Sequence, residues 1–222
     1  MKRSVWSRTY GVLGAYWVGL LGALIAFIRL AEDVWEREPF RYDDALLTWF
    51  AAQQQPALTA LAQGLSLLGS LVVFAVLTTL VYLWFRRVAT LDAYFFVVSV
   101  LGALSLNGVA KVLFARLRPE LFTPLEAAIG YAFPSGHAML SAAFALAFFL
   151  VIRRQYRRWQ AIVAAAALLF TLGISLSRLY LQVHYPSDVI AGWALSTAWV
   201  LGLDLWFRRR RSQRMRKSPP AS

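Results

Sequence analysis

The chain of 222 residues is 59% hydrophobic and only 15% charged, with a net charge of +12. An average soluble domain is about 45–50% apolar and about 25% charged, so this balance excludes disorder and argues against an ordinary soluble globule. The lack of cysteine excludes disulfides, thiolate metal sites and a thiol nucleophile, and it makes the two histidines conspicuous.

Where the 23 Lys and Arg residues sit decides what the charge means. They fall in short runs between apolar stretches of about 20 residues, the length a helix needs to cross a hydrocarbon core of about 30 Å. That is the pattern of a multi-pass membrane protein, not of a nucleic-acid binder.

In chain order, Lys2, Arg3 and Arg8 precede a first span over Tyr10–Leu30. Its apolar run is too long for a signal-peptide core. Arg29 and Glu32 stand where a cleavage site would be sought, so a retained helix is expected. The 41 residues from Ala45 to Phe85 carry no charge. Two spans there would have to turn at Gln53-Gln54-Gln55-Pro56 and would put Arg86 and Arg87 on the opposite side. One span, Leu65–Phe85, is therefore expected. Before it comes an interfacial or partly re-entrant helix over Asp43–Gln63, with Trp49 and Phe50 near the headgroups. Spans over Thr90–Phe114, Ser135–Ile152, Gln160–Leu176 and Val189–Phe207 complete an all-α bundle of six transmembrane helices. No internal repeat or linker divides residues 1–222, so a single domain is expected, with a basic tail at 208–222 whose Ser-Pro-Pro end frays after Lys217.

Six spans return both termini to one side. With the amino terminus inside, Lys2, Arg3, Arg8, Arg86, Arg87, the arginines at 153, 154, 157 and 158 and seven basic residues of the tail are cytoplasmic, sixteen of the 23. Nine of the eleven acids fall on the other side. The positive-inside rule thus predicts cytoplasmic termini in a bacterial cell membrane, with the opposite span ends facing outward.

A single charge at a span end reads as an interfacial anchor. The outer set is harder to dismiss: Lys111, Arg116, Arg118, Ser135, His137, Ser177, Arg178, His184 and Asp188 come from the ends of four spans and include both histidines. Lys111 and Arg118 would lie two turns apart on one face if the helix ran on to Pro119, which stops it. Ser135 suits an N-cap, Gly136 lets a ligand approach the backbone, and a helix start favours an anion. Asp188, four residues after His184, can accept the imidazole Nδ1 proton and leave Nε2 as nucleophile or base. Two guanidinium groups and an ammonium can neutralise a phosphoryl group, and Asp188 alone is too few carboxylates for a two-metal site. The constellation reads as a metal-free phosphate site without a cofactor.

Lys111-x6-Arg118-Pro119, Pro134-Ser135-Gly136-His137 and Ser177-Arg178-x5-His184-x3-Asp188 resemble the three-part signature of the type 2 phosphatidic acid phosphatase superfamily, in order and without a departure. The motifs span 78 residues, 111 to 188. The resemblance implies that His184 attacks phosphorus and carries a phosphohistidine, oriented by Asp188. His137 would protonate the leaving oxygen and then activate water, while Lys111, Arg118, Ser135, Gly136 and Arg178 hold the phosphoryl oxygens. Arg116 lies outside the pattern and receives no role.

The implied substrate is a lipid phosphate within the bilayer. A phosphomonoester such as phosphatidic acid or phosphatidylglycerol phosphate is the first expectation; a polyprenyl diphosphate such as undecaprenyl diphosphate, or transfer to another lipid, would use the same residues. An anion or lipid transporter is the rival outside enzymes, but it would place broken helices and charges near the bilayer midplane.

Overall fold

The computed structural model describes residues 2–217, with side chains from Gly14 to Arg211 and that of Gln213. The side chains of Lys2, Arg3 and Arg8 and the tail after Lys217 lie outside the described residues. Helices follow one another as α1 (Lys2–Trp35), α2 (Arg41–Ala52), α3 (Pro56–Leu68), α4 (Leu71–Val88), α5 (Thr90–Phe114), α6 (Gly136–Gln155), α7 (Gln160–Tyr180) and α8 (Pro186–Lys217), with no strand among the described residues.

Six of these are long and apolar enough to cross a membrane: Gly14–Trp35 of α1, α4, α5, α6, Arg157–Tyr180 containing α7, and Pro186–Arg211 of α8. Their 18 to 26 residues correspond to about 27–39 Å of helix. The protein is an all-α, multi-pass membrane bundle.

Two features between the first and third spans differ from expectation. The stretch expected as one helix over Asp43–Gln63 forms two helices, α2 and α3. Gln55 is extended (φ −150°, ψ 152°) and Pro56 opens α3, because proline disfavours helix in the residue before it and loses nothing at a first helical position. At 12 and 13 residues neither helix reaches across a bilayer. The break is pinned by Tyr180 of α7, whose hydroxyl accepts the Gln55 N–H at 3.0 Å. The following span starts at Leu71, not Leu65, because α3 stops at Gly69 and Ser70 caps α4 through its Oγ and the Val73 N–H. As expected, α5 ends at Phe114; Ala115 is left-handed (φ 45°), four residues before Pro119. Lys111 and Arg118 therefore do not share a helix face.

The middle of the bundle is α6, which packs against α5, α7 and α8. Its buried face carries Ala138, Ala143, Ala145 and Ala147. Small side chains allow the close helix approach that drives association in lipid, where burial of apolar surface gives little net gain. Aromatic rings fill the remaining space between α4, α5 and α6, with Phe85–Phe148 centroids 5.6 Å apart and Phe96–Phe144 5.1 Å apart.

The end of the bundle that gathers the arginines is closed by an ion network. Arg154 reaches Asp92 at 2.8 Å and Asp204 at 2.7 Å, Arg208 reaches Asp204 at 2.6 Å, and Arg211 also pairs with Asp92. The Tyr16 hydroxyl accepts from Arg208 at 2.7 Å and from Arg153 at 2.9 Å. Arg153 and Arg154, expected as interfacial anchors, thus turn inward and tie α1, α5, α6 and α8 together.

Candidate active site

Four helix ends meet at the other pole: the last turns of α5 and α7 and the first turns of α6 and α8. The seam between α6 and α8 is tight, the Ser135 N–H donating to the Asp188 carbonyl at 3.0 Å. Residues 115–135, between α5 and α6, fold over this pole and are anchored to it by Leu125 N–H on the Leu181 carbonyl at 3.0 Å.

His184 lies in the turn before α8 and is 2% exposed, with Asp188 wholly buried one helical turn on. Their Nδ1 and Oδ2 stand 3.3 Å apart, and Arg118 Nη1 is 3.3 Å from the ring's Nε2. A guanidinium can only donate, so Nε2 is its acceptor and the proton sits on Nδ1, facing Asp188. Burial, reinforced by the charges of Arg118 and Arg178 and opposed by Asp188, pushes the imidazole pKa down to about 4. The ring is therefore neutral at physiological pH, with its Nε2 lone pair turned toward the cations.

Two of those cations, Arg118 and Lys111, are held by backbone carbonyls with no carboxylate in direct contact among the described residues. Arg118 donates to the carbonyls of Gly130 (2.9 Å), Ile129 (3.0 Å) and Val183 (2.7 Å), and Lys111 Nζ donates to the Tyr131 carbonyl at 2.7 Å. Gly130 has φ +76°, a left-handed conformation open to glycine, in the middle of this run of three carbonyls. Burial and the neighbouring Arg178 lower the Arg118 pKa. Arg178 is buried on α7, donates to Ser66 of α3 and pairs with Glu126 at 2.8 Å, while its Nε is buried with no hydrogen-bond partner.

The start of α6 supplies the rest. Ser135 is the N-cap residue by position, but its side chain makes no capping bond; its Oγ is buried and unpartnered. Beside Gly136 the space a Cβ would enter is faced by the buried Asn107 amide at 3.1 Å, not left open to a ligand. The His137 ring lies directly on Gly69, where a Cβ would come within 2.4 Å of Cδ2. It interacts with the backbone of Ser66 and with the charges of Arg178, His184 and Lys111. All eight residues singled out from the sequence are thus at one pole. Between α4 and α5, an apolar groove of about 390 Å³ starts at Leu71 and Leu140, close behind this pole, and runs past Phe74 and Thr78 to Tyr82 and Tyr94.

Sequence reasoning missed the residues behind Asp188. Arg116, given no role, donates to Asp188 Oδ1 at 2.6 Å, to Ser187 Oγ at 2.7 Å and to Asp43 Oδ2 at 2.9 Å. Burial alone would lower the Arg116 pKa, yet the two carboxylates outweigh it and the pKa is raised. Burial pushes the Asp43 carboxyl up, against the opposing hydrogen bonds of Ser187 and Arg116. The available signal was an acidic pair, Asp43-Asp44, at the head of an amphipathic stretch that is uncharged from Ala45 on, together with a second arginine two residues before Arg118. Ser66, Glu126 and Asn107 carried no comparable signal. Among the described residues no group of three or more His, Asp or Glu side chains is placed to hold a metal ion.

The sequence model of the PAP2 superfamily matches residues 92–212, which include all three polar segments. The chain belongs to the PAP2 superfamily. Along 195 residues it is 29% identical to the undecaprenyl-diphosphatase of Sulfolobus acidocaldarius, covering 86% of this chain and 89% of the relative. It is 35% identical over 105 residues to phosphatidylglycerophosphatase B of Bacillus subtilis, where the match spans 46% of this chain and about half of the relative, 48%. The crystal structure of the transmembrane PAP2 type phosphatidylglycerolphosphate phosphatase from Bacillus subtilis superposes with a TM-score of 0.78 at 22% identity, over 86% of this chain and 97% of that one. This PAP2 bundle therefore shares its membrane fold with a solved lipid phosphatase.

Proposed function

We propose that this PAP2 protein is a membrane lipid-phosphate phosphatase that hydrolyses a phosphomonoester through a phosphohistidine on His184. The observation that carries the reading is a pole of three cations, Lys111, Arg118 and Arg178, with two buried polar groups, Arg178 Nε and Ser135 Oγ, that lack a partner. Buried donors are normally satisfied; a phosphoryl group would satisfy these and balance the charge.

In this reading Nε2 of neutral His184 attacks phosphorus, and Asp188 takes up the positive charge that develops on the ring by holding the Nδ1 proton. His137 gives a proton to the leaving lipid oxygen, then removes one from the water that cleaves the phosphohistidine. Glu126 already offsets part of the Arg178 charge, which suits a monoester dianion better than a more highly charged diphosphate. The apolar groove behind His137 offers room for an acyl chain.

Diphosphate hydrolysis is the second reading, favoured by the relative aligned along nearly its whole length, an undecaprenyl-diphosphatase. Phosphate release from a panel of lipid monophosphates and diphosphates, with and without excess chelator, separates the two. Faster turnover of monophosphates, undiminished by chelator, is expected. Loss of all activity in chelator, restored by a divalent ion, would overturn the metal-free chemistry.

The arginine-rich pole lies opposite the site, and the positive-inside rule then puts both termini in the cytoplasm and the reaction on the outer face of the cell membrane. Reporter fusions after Glu126 and after Arg154 are expected on opposite sides.

A further inference from the structure

We propose that Arg116 and Asp43 are positioning residues for the reaction: together they lock the Asp188 carboxylate against His184 and so make the short helix α2 part of the catalytic assembly. The inference rests on the assignment of His184 as the nucleophile and extends it to residues that no signature motif contains.

The wholly buried Asp188 has both oxygens engaged. Oδ2 faces His184 Nδ1 at 3.3 Å and accepts the Tyr185 N–H at 2.9 Å, while Oδ1 accepts from Arg116 at 2.6 Å. Arg116 is itself fixed, with its guanidinium stacked over the Tyr185 ring at 4.2 Å and near Phe40 at 5.3 Å. Its second nitrogen is taken by Asp43 at 2.9 Å. Asp43 also accepts the Ser187 backbone N–H at 2.8 Å and the Ser187 hydroxyl at 2.5 Å, so it grips the residue immediately before Asp188.

The charges explain why both members are needed. When His184 is phosphorylated its ring becomes cationic, and Asp188 has to remain an anion in the ring plane. Arg116 keeps Asp188 from taking the Nδ1 proton outright, because protonation would leave a buried arginine short of a counter-charge. Asp43 offsets Arg116, so the guanidinium does not cancel the pull of Asp188 on the imidazole. Other charged or titratable groups facing these residues are Arg118 and Arg178, which act on His184, Lys111 and His137 at greater remove, and, beside Arg116 and Asp43, Tyr185, Tyr42, Asp44 and Asp33.

The test is the pH dependence of phosphoenzyme formation in single turnovers at saturating substrate, measured on full-length protein in detergent. Arg116→Met is expected to slow this step about 30–300-fold with KM within about threefold, and to move the acid limb to higher pH by about one unit, because the pair has lost a positive neighbour. Arg116→Lys keeps the charge and loses the fork, so it should recover part of the rate and leave the limb in place. Asp43→Asn should move the limb the other way, to lower pH, with a loss of about 3–10-fold. A wild-type pH profile in both Arg116→Met and Asp43→Asn would reduce the pair to structural support and overturn the inference. If Arg116→Met does not fold, the limb in Asp43→Asn decides: a downward shift supports the inference, and no shift overturns it. Absence of any acid-labile phosphoenzyme in the wild type would instead remove the His184 assignment, and this inference with it.

Discussion

At one end of the bundle Arg154, Arg208 and Arg211 point into the carboxylates of Asp92 and Asp204; at the other, Lys111 and Arg118 are held by peptide carbonyls and the Nε of Arg178 meets nothing. Carbonyl dipoles fix the direction of a cation but do not cancel its charge. Carboxylates do both. The first end ties four helices through carboxylate pairs, although Arg211 Nη1 makes no hydrogen bond there; at the second, among the described residues, Lys111 and Arg118 lack a carboxylate partner and Arg178 has one, Glu126, which leaves a surplus of cations suited to an anion. The difference shows that the charge of a residue says little about its task until its counter-charge is known.

Substitutions at the open end are expected to have the largest effects. His184→Ala is expected to abolish phosphoenzyme formation and reduce turnover by about 10⁴-fold or more, since it removes the proposed nucleophile. Retained turnover would remove the nucleophile from the scheme. Lys111→Met should lower kcat/KM by about 10²-fold while leaving the thermal midpoint in detergent equal or slightly higher, because a desolvated cation beside Arg118 has been replaced by an apolar group. A large fall in the midpoint would mean that Lys111 is a structural cation like those at the closed end.

Asp92→Asn probes that closed end and should behave in the opposite way. Breaking a buried ion network from one side costs about 2–4 kcal/mol of stability, discounted for the partial exposure of Arg154, with activity per folded molecule within about twofold of wild type. Denaturation midpoints and active-site titration by vanadate would report both quantities. If activity fell while stability held, the two ends would be coupled in function.

The smallest effect concerns pH. His184 in the fold sits at about 4, below its ordinary value of about 6.5. The proposed nucleophile therefore stays neutral as pH falls from 7 to 5, and the phosphorylation step is expected to lose no more than about twofold over that range once substrate ionisation is allowed for. Stability follows the same group. The unfolded chain takes up a proton between about 6.5 and 4 that the folded chain refuses, so the His184 contribution is fully present above that window and is lost as pH falls through it.

The six spans could be read from the sequence because a bilayer imposes length, apolarity and charge asymmetry, and each leaves a mark in one dimension. The signature residues could be read for a related reason: a polar side chain at a span end is costly enough to be noticed. What escaped was placed by packing. Arg116 looks like any basic residue after a helix until Asp43 folds back from 73 residues away in the chain. Ser66 and Glu126 meet Arg178 only because α3 packs on α7 and the segment before α6 lies over both. The break at Gln55-Pro56 is visible in the sequence as a turn signal, but a turn between two membrane crossings and one between two short helices satisfy the same proline chemistry.

The run of carbonyls at 129–131 holds its cations in place before any ligand arrives. A free lysine or arginine side chain surrenders about 2 kcal/mol of rotamer entropy when it is immobilised on a ligand. Lys111 and Arg118 surrender theirs when the chain folds, to backbone groups that a phosphate need not displace all at once. Recognition then spends little on ordering the protein, and the strength of each new contact is available for telling a transition state from a substrate.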